Sequence, residues 1–307
     1  MPSRPFFFLF LALFVGQQSF SIGLSEIASR CGGTLTYEQD GRVGIVRSKD
    51  CSLVFRHNSA CHRLNGVSVY GQCPTGGGPG ALTVDGADWA RVLAPLLTPP
   101  AVAPLRRVCI DAGHGGHDSG TVQGQLVEKN LTLDIALRLQ RLLRERNIGS
   151  ILTRSGDSFV ALERRPEIGS SCDLFISIHC NAADAPMASG VETYVLPQKG
   201  MASTARMDKP GAQDQHSCPN NRCDEHNLWL GYCLQRQLIG ITGVKDRGVR
   251  RGRFLVLKAA HCPAALVECG FLTNGEEGRR LGTEEYREAI ARALCQGICH
   301  YDAVGRR

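Results

Sequence analysis

The sequence from Arg107 to Gly116 reads RVCIDAGHGG, a short apolar run that ends in a glycine-rich turn. An apolar run of this length bounded by turn residues predicts a buried strand from Arg107 to Asp111. Large apolar residues then recur at helical spacing, which predicts a helix with Asn130 as its N-cap. These apolar positions are Leu131, Ile135, Leu139 and Leu142.

The same alternation of strand and helix patterns continues to the end of the chain. Strands are predicted over 149–153, 174–178, 191–196, 253–257 and 264–267, and helices over 227–239 and 284–299. Strands that alternate with helices favour an α/β fold, a parallel-rich sheet with helices on both faces. We assign this fold to residues 106–304. Ligands of such folds bind at the carboxyl ends of the strands.

The part before this domain, residues 22–96, has a different pattern. Short apolar runs over 41–46, 52–55 and 67–70 alternate with turn residues, and a helix is predicted over 85–96. This pattern predicts a small β-rich domain. It resembles the N-terminal domain of copper amine oxidases, a likeness that implies no copper here. The text LLTPPAVAP carries three prolines, so we predict a linker over 97–105.

The N-terminus has the features of a secretory signal. Arg4 precedes an apolar run from Phe6 to Val15, and small residues follow it. This order predicts a signal peptide over residues 1–21, with an uncleaved anchor as the alternative. The run is shorter than the roughly 20 apolar residues of a membrane-spanning helix. No later segment is long and apolar enough to form such a helix. We therefore expect export to the periplasm or the cell exterior, without a transmembrane segment in the mature chain.

The cysteines fit an oxidising compartment. All fourteen lie beyond the predicted signal peptide, and their number is even. Such a set in an exported protein predicts disulfide bonds, although the sequence leaves their pairing open. The front part holds Cys31, Cys51, Cys61 and Cys73.

The net charge is mildly basic, at +6. The lysines and arginines are scattered and form no dense stripe, which argues against a nucleic-acid partner. An anionic wall polymer remains compatible with this charge. The sequence leaves the oligomeric state undetermined.

Four ionisable residues follow a strand or open a helix: His114, Glu128, His179 and Glu268. In a parallel sheet these positions meet at one edge. Two histidines and one carboxylate form a three-ligand zinc shell with an open fourth position, which is typical of catalytic sites. Each residue alone has a structural explanation. A lone histidine is usually a hydrogen-bonded residue, and Glu128 also favours the positive end of a helix.

Seven motifs of the back part resemble one known family, the zinc-dependent N-acetylmuramoyl-L-alanine amidases of the amidase-3 type. In order they are IDAGHGGHDSG, VEKNLTLDIALRLQRLL, ILTRSGDSFVALERR, DLFISIHCNA, GVETYVLP, KDRGVRRGRFLVL and PAALVECGFLTN. The resemblance implies a zinc ion bound by His114, Glu128 and His179, with Glu268 as the catalytic carboxylate. The implied reaction hydrolyses the amide between N-acetylmuramic acid and L-alanine in peptidoglycan.

Two other functions are compatible with parts of this pattern. The ligand set alone also permits a zinc carboxypeptidase that acts on wall stem peptides. A non-catalytic wall-binding protein is the second alternative, and the presence of all four residues disfavours it.

Several neighbouring residues have open roles. His117 or Asp118 is a candidate for orienting the first ligand. Arg154, Arg164 and Asn181 are candidates for substrate contact or for structural hydrogen bonds.

The remaining cysteines raise two further expectations. Cys180 and Cys269 directly follow His179 and Glu268, so the alternation of a strand places them on the opposite face. Residues 198–225 are polar and predict a long loop beside the site. In this loop Cys218 and Cys223, with His226, either form a second zinc site or belong to a disulfide-tied loop, which we favour.

Overall fold

The computed structural model of the protein describes residues 20–205 and 210–305. The strands are β1 Ser21–Gly23, β2 Thr34–Glu38, β3 Val43–Arg47, β4 Ser52–Arg56, β5 Cys61–Leu64, β6 Val67–Tyr70, β7 Gly76–Gly78, β8 Ala81–Asp85, β9 Arg107–Ala112, β10 Val122–Gln123, β11 Leu126–Val127, β12 Gly149–Leu152, β13 Leu174–Asn181, β14 Val191–Val195, β15 Asp246–Arg251 and β16 Ala264–Phe271. The helices are α1 Leu24–Arg30, α2 Gly86–Asp88, α3 Ala94–Leu97, α4 Glu128–Glu145, α5 Arg164–Ile168, α6 Asp224–Thr242, α7 Leu255–Ala259, α8 Gly275–Leu281 and α9 Glu284–Gly305. A π-helical turn, Trp89–Leu93, joins α2 to α3.

Eleven strands form one sheet in the order β12-β9-β13-β16-β14-β15-β6-β5-β4-β3-β2. The first four are parallel, β14 runs antiparallel to β16, and β15 is parallel to both of its neighbours. Strands β6 to β2 form an antiparallel meander. The α/β prediction is thereby confirmed as a mixed sheet with helices on both faces, together with a β-rich N-terminal part.

The central strands are apolar on both faces, as strands between two helical layers must be. In β16, the side chains of Ala265, Val267 and Cys269 pack in the main core, which also contains buried residues of α4, α6 and α9. Ala264 and Leu266 alternate with them and pack in a second cluster with residues of α7. This alternation decides which residues of the strand reach the site.

The β-rich part adds strands β2 to β6 to the same sheet through β6, and its strands β1, β8 and β7 form a separate three-stranded sheet. Val69 pairs with Val249 of β15, and the backbone N–H of Ser68 donates to Asp246 at 2.7 Å. The buried guanidinium of Arg251 donates to the carbonyl of Gly71 at 2.9 Å. The two parts are therefore joined by main-chain pairing and charged hydrogen bonds. Their division at 97–105 into separate domains stays a prediction.

Several elements of the structure differ from the sequence predictions. The helix expected to start after Asn130 begins at Glu128, because the carbonyls of Thr121 and Ser119 accept from its first N–H groups. The strand expected over 253–257 is wrong, since α7 occupies this region. The strand lies earlier, at β15, which the sequence analysis missed.

The predicted signal peptide lies outside the described residues except for its last two positions, of which Ser21 begins β1. In the described part, no helix has the length and apolar character needed to cross a bilayer. All fourteen cysteines are free thiols in this structure, and disulfide formation stays a prediction.

Candidate functional site

His114, Glu128 and His179 come together at the carboxyl ends of β9 and β13 and at the start of α4. One potential ligand atom from each lies within 4.8 Å of the other two. Oε1 of Glu128 is 3.1 Å from Nε2 of His114 and 3.1 Å from Nδ1 of His179. The two rings stand nearly perpendicular, with centroids 4.9 Å apart. These three side chains form a group that can hold a metal ion.

The turn after β9 places His114 at the edge of the sheet. His114 has a φ of +61°, a left-handed conformation that costs a non-glycine residue about 1–3 kcal/mol. The Nη2 of Arg165 donates to the carbonyl of His114 at 2.8 Å, and Gly115 forms a β-bridge with Asp118. These contacts hold the turn in its strained conformation.

Asp118 fixes the orientation of the His114 ring. Both of its carboxylate oxygens lie 2.9 Å from Nδ1 of His114, which leaves Nε2 directed at Glu128. Burial lowers the pKa of His114, but hydrogen bonds to Glu128 and Asp118 outweigh this and raise it. A carboxylate on the outer nitrogen is the usual partner of a metal-binding histidine. Of the two residues considered for this role, the structure places Asp118 in it.

Glu128 is the first residue of α4 and is buried. Its Oε1 accepts from the backbone N–H of Cys180 at 3.0 Å, and its Oε2 accepts from that of Thr121 at 2.9 Å. Burial raises the pKa of this carboxyl, yet the hydrogen bonds from His114 and His179 lower it well below its usual range. Glu128 is therefore an ionised, fixed anion.

Glu268 lies beside this group, because its position on β16 is the register partner of His179 on β13. Its side chain is on the same face as Leu266 and borders the same cavity as the two histidines. Its Oε2 is buried and has no hydrogen-bond partner among the described residues. Burial is the main cause that raises the pKa of Glu268 to about 7, while nearby His179 acts in the opposite direction. A carboxyl with this pKa exchanges a proton near neutral pH.

A cavity of about 360 Å³ opens in front of these residues. Its lining combines the ionisable groups with apolar side chains of the 159–162 segment and of the start of α7. The lining residues are Asp111, His114, Asp118, Phe159, Val160, Leu162, Arg165, His179, Phe254, Leu255, Val256, Leu266 and Glu268.

A buried ion pair, which the sequence analysis missed, supports the floor of the cavity. Asp111 and Arg165 have side chains only 0% and 2% exposed and meet at 2.9 Å. Asp111 also accepts from the hydroxyls of Thr153 and Ser177, each at 2.7 Å. The sequence did contain an indication of this pair, because Asp111 ends an otherwise apolar strand and a buried acid needs a partner.

The candidate substrate contacts have structural roles. Arg154 is buried and donates to the carbonyls of Ala112 and Gly113 at 3.0 and 2.8 Å. Arg164 is exposed and pairs with Glu167, outside the cavity lining. Asn181 donates to Glu192 at 2.7 Å. His117 stacks on Phe159, with ring centroids 4.1 Å apart.

The described part of the 198–225 loop does not border the cavity, contrary to the expected position beside the site. Gln198 donates to the carbonyl of Arg91 at 3.1 Å, so the loop packs on the N-terminal part. Asp214 of the loop accepts from Arg253 at 2.7 Å, and Arg253 directly precedes Phe254 of the cavity lining.

The structure also shows the surroundings of the remaining cysteines named in the sequence analysis. Within the described ranges, Cys218, Cys223 and His226 do not form a metal-binding group, and His226 instead bonds the hydroxyl of Tyr301 at 2.9 Å. Cys180 and Cys269 are buried in the main core, behind the site as expected.

Comparison with known proteins identifies the family of the chain. The sequence profile of the amidase-3 family, described as N-acetylmuramoyl-L-alanine amidase, matches residues 108–300. The chain belongs to this amidase family. The protein YqiI of Bacillus subtilis is 35% identical to the amidase over 214 residues, which cover 69% of this chain and 92% of YqiI. The N-acetylmuramoyl-L-alanine amidase AmiA of Escherichia coli is 33% identical over 64% of this chain and 76% of its own.

A solved structure extends the likeness to the fold. The N-acetylmuramoyl-L-alanine amidase AmiC2 of Nostoc punctiforme superposes with a TM-score of 0.53 at 32% identity. The match covers 64% of the amidase described here and 96% of the AmiC2 chain. The family match over residues 108–300 covers the α/β region with the site and begins after the β-rich N-terminal part.

Proposed function

We propose that this enzyme is a zinc hydrolase that cleaves the amide between N-acetylmuramic acid and the L-alanine of the peptidoglycan stem peptide. The observation that carries the proposal is the convergence of His114, Glu128 and His179 next to Glu268. One buried carboxyl oxygen of Glu268 has no hydrogen-bond partner among the described residues. Family membership supports the choice of substrate.

The donor set fits zinc. Two imidazole nitrogens and one carboxylate oxygen are the protein ligands of many catalytic zinc sites. Asp118 binds the outer nitrogen of His114 and fixes the ring, as carboxylates beside metal-binding histidines do. We therefore assign His114, Glu128 and His179 as the ligands. When bound, zinc supplies a Lewis acid that polarises an amide carbonyl and acidifies water.

Glu268 is assigned as the general base and acid. Its raised pKa, about 7, lets it accept a proton from the attacking water and later give it to the amine of L-alanine. Since Oε2 has no partner among the described residues, this oxygen needs no bond to be broken before it acts. The ion pair of Asp111 and Arg165 keeps the turn of His114 in place during the reaction.

Action on the cell wall requires export, which the predicted signal peptide supports. We propose a periplasmic or extracellular location with peptidoglycan as the partner, and disulfides among the cysteines. The thiols of Cys31 and Cys51 contact each other, which makes them a candidate pair. Peptide mapping of the exported protein without reductant tests this pair.

The direct experiment is digestion of purified peptidoglycan by the zinc-loaded protein, followed by mass spectrometry. We expect free stem peptides that begin with L-alanine. Shortened peptides still attached to muramic acid would instead identify a carboxypeptidase. Binding to the wall without any released peptide would identify a non-catalytic wall-binding protein.

A further inference from the structure

The lining of the cavity includes three exposed, large apolar side chains besides the ionisable groups. Phe159, Leu162 and Phe254 are 47%, 55% and 40% exposed, respectively, and all three line the cavity. We call these three residues the apolar shelf. Grouped exposed apolar side chains at a functional cavity are typical of a binding surface.

Neighbouring groups hold the two aromatic rings of the shelf. The ring of Phe159 lies on that of His117, with centroids 4.1 Å apart and planes 33° apart. The ring of Phe254 meets that of Tyr194 edge to face, with centroids 5.1 Å apart. The segment of Phe159 is further fixed by Arg165, which donates to the carbonyl of Val160 at 3.0 Å. A shelf that is already ordered loses little conformational entropy when it binds a ligand.

Among the described residues, the cavity lining holds no free lysine or arginine side chain. Arg165 lines the cavity, but it is 2% exposed and is paired with Asp111. Arg247 and Arg250 are partly exposed, yet they pair with Glu192 at 2.8 and 3.0 Å and do not line the cavity. A ligand bound on the shelf is therefore recognised by apolar contact, and not by a charge.

The two halves of the proposed substrate differ in charge. The peptide half ends in a carboxylate. The N-acetylmuramoyl half, joined through its amide, is uncharged and presents the C–H groups of a pyranose ring together with an acetamido methyl group. The negative face of an aromatic ring attracts such weakly positive C–H groups. The chemistry of the shelf thus matches the sugar half.

We propose that the apolar shelf is the glycan subsite of this enzyme and binds the pyranose ring of the muramoyl group while the amide lies at Glu268. This inference rests on the proposed function, because it takes the substrate from it. Phe159 and Phe254 are then specificity-determining residues that favour a sugar-bearing amide over a simple lactoyl amide.

The test compares two soluble substrates with the same peptide, an N-acetylmuramoyl-L-alanyl peptide and a D-lactoyl-L-alanyl peptide that lacks the sugar. We expect Phe159→Ala and Phe254→Ala each to raise KM for the muramoyl peptide about tenfold, with little change in kcat. KM for the lactoyl peptide should stay unchanged. The matched control pair is Leu162→Ala, which should raise KM several-fold, and Leu137→Ala, a similarly exposed leucine outside the cavity, which should not.

Binding of a peptide-free muramoyl disaccharide whose lactyl carboxyl is capped as a methylamide, measured by saturation-transfer NMR, gives a second test that needs no turnover. We expect transfer to the sugar protons from the wild type and a large loss in the Phe159→Ala/Phe254→Ala double variant. Equal losses on both substrates, or unchanged KM together with unchanged transfer, would overturn the glycan subsite. If the wild type cleaves neither substrate, the proposed function is wrong, and the disaccharide measurement still decides the subsite.

Discussion

Removing the carboxylate of Asp111 should destabilise the enzyme strongly. Asp111 and Arg165 are 0% and 2% exposed, and Asp111 also accepts from two buried hydroxyls. Asp111→Ala leaves a guanidinium buried without its counter-charge. Breaking a buried ion pair in this way costs about 3–5 kcal/mol. Arg165→Met should cost a similar amount, because it leaves the carboxylate unpaired and releases the carbonyl of His114.

The assay is urea unfolding of metal-free protein, with a double-mutant cycle. The double variant Asp111→Ala/Arg165→Met has no unpaired charge, so its loss should be at least about 2 kcal/mol smaller than the sum of the single losses. The control is the exposed neighbouring pair on α5, Arg164 and Glu167, whose removal should cost less than about 1 kcal/mol. Single losses as small as those of the control, or additive losses at Asp111 and Arg165, would refute the reasoning.

Two further predictions concern the metal group and the N-terminal part. Asp118→Ala should weaken zinc binding about 10–100-fold in chelator competition, because it frees the ring of His114. Glu167→Ala, which removes an exposed carboxylate outside the cavity lining, should leave zinc binding unchanged. His62 is buried, its nitrogens have no partner among the described residues, and burial lowers its pKa to about 4. His62→Phe should therefore raise the free energy of unfolding by about 1–3 kcal/mol at pH 7. The unfolded histidine binds a proton below about pH 6.5, whereas the folded one does so only near pH 4. Between these pH values the free energy of unfolding of the wild type should therefore fall by up to about 3 kcal/mol more than that of the variant. Urea titrations at pH 7 and pH 4.5 measure both effects, and equal pH dependence of the two proteins would contradict the assignment.

The parts of the fold that were predicted are those in which burial and apolar pattern coincide. Strands β9, β13 and β16 are apolar runs, and the helix over Leu131, Ile135 and Leu139 has a regular apolar face. Strand β15 was missed because its sequence, DRGVRR, is mostly charged. Its arginines are satisfied by partners far along the chain, Glu192 and the carbonyl of Gly71, which no local pattern indicates.

The site shows the same division. The approach of His114 to His179 follows from the parallel order of their strands, which the sequence predicts. Asp111 and Arg165 are 54 positions apart in the sequence. Which residue pairs with Asp111 depends on how α5 packs, and the local sequence does not indicate this. The exposure of Phe159 and Phe254 is likewise a property of the folded surface. An isolated apolar residue in the sequence gives no indication that it faces a cavity.

The most direct test of the central assignment measures zinc content and peptide release together in Glu268→Gln. The substitution keeps the shape of the side chain and removes its ability to accept a proton. If Glu268 is the general base and not a ligand, the variant should bind one zinc per chain, as the wild type does, and release L-alanyl peptides about 10²–10⁴-fold more slowly. Release at the wild-type rate, or a variant that has lost its zinc, would contradict this account of the site.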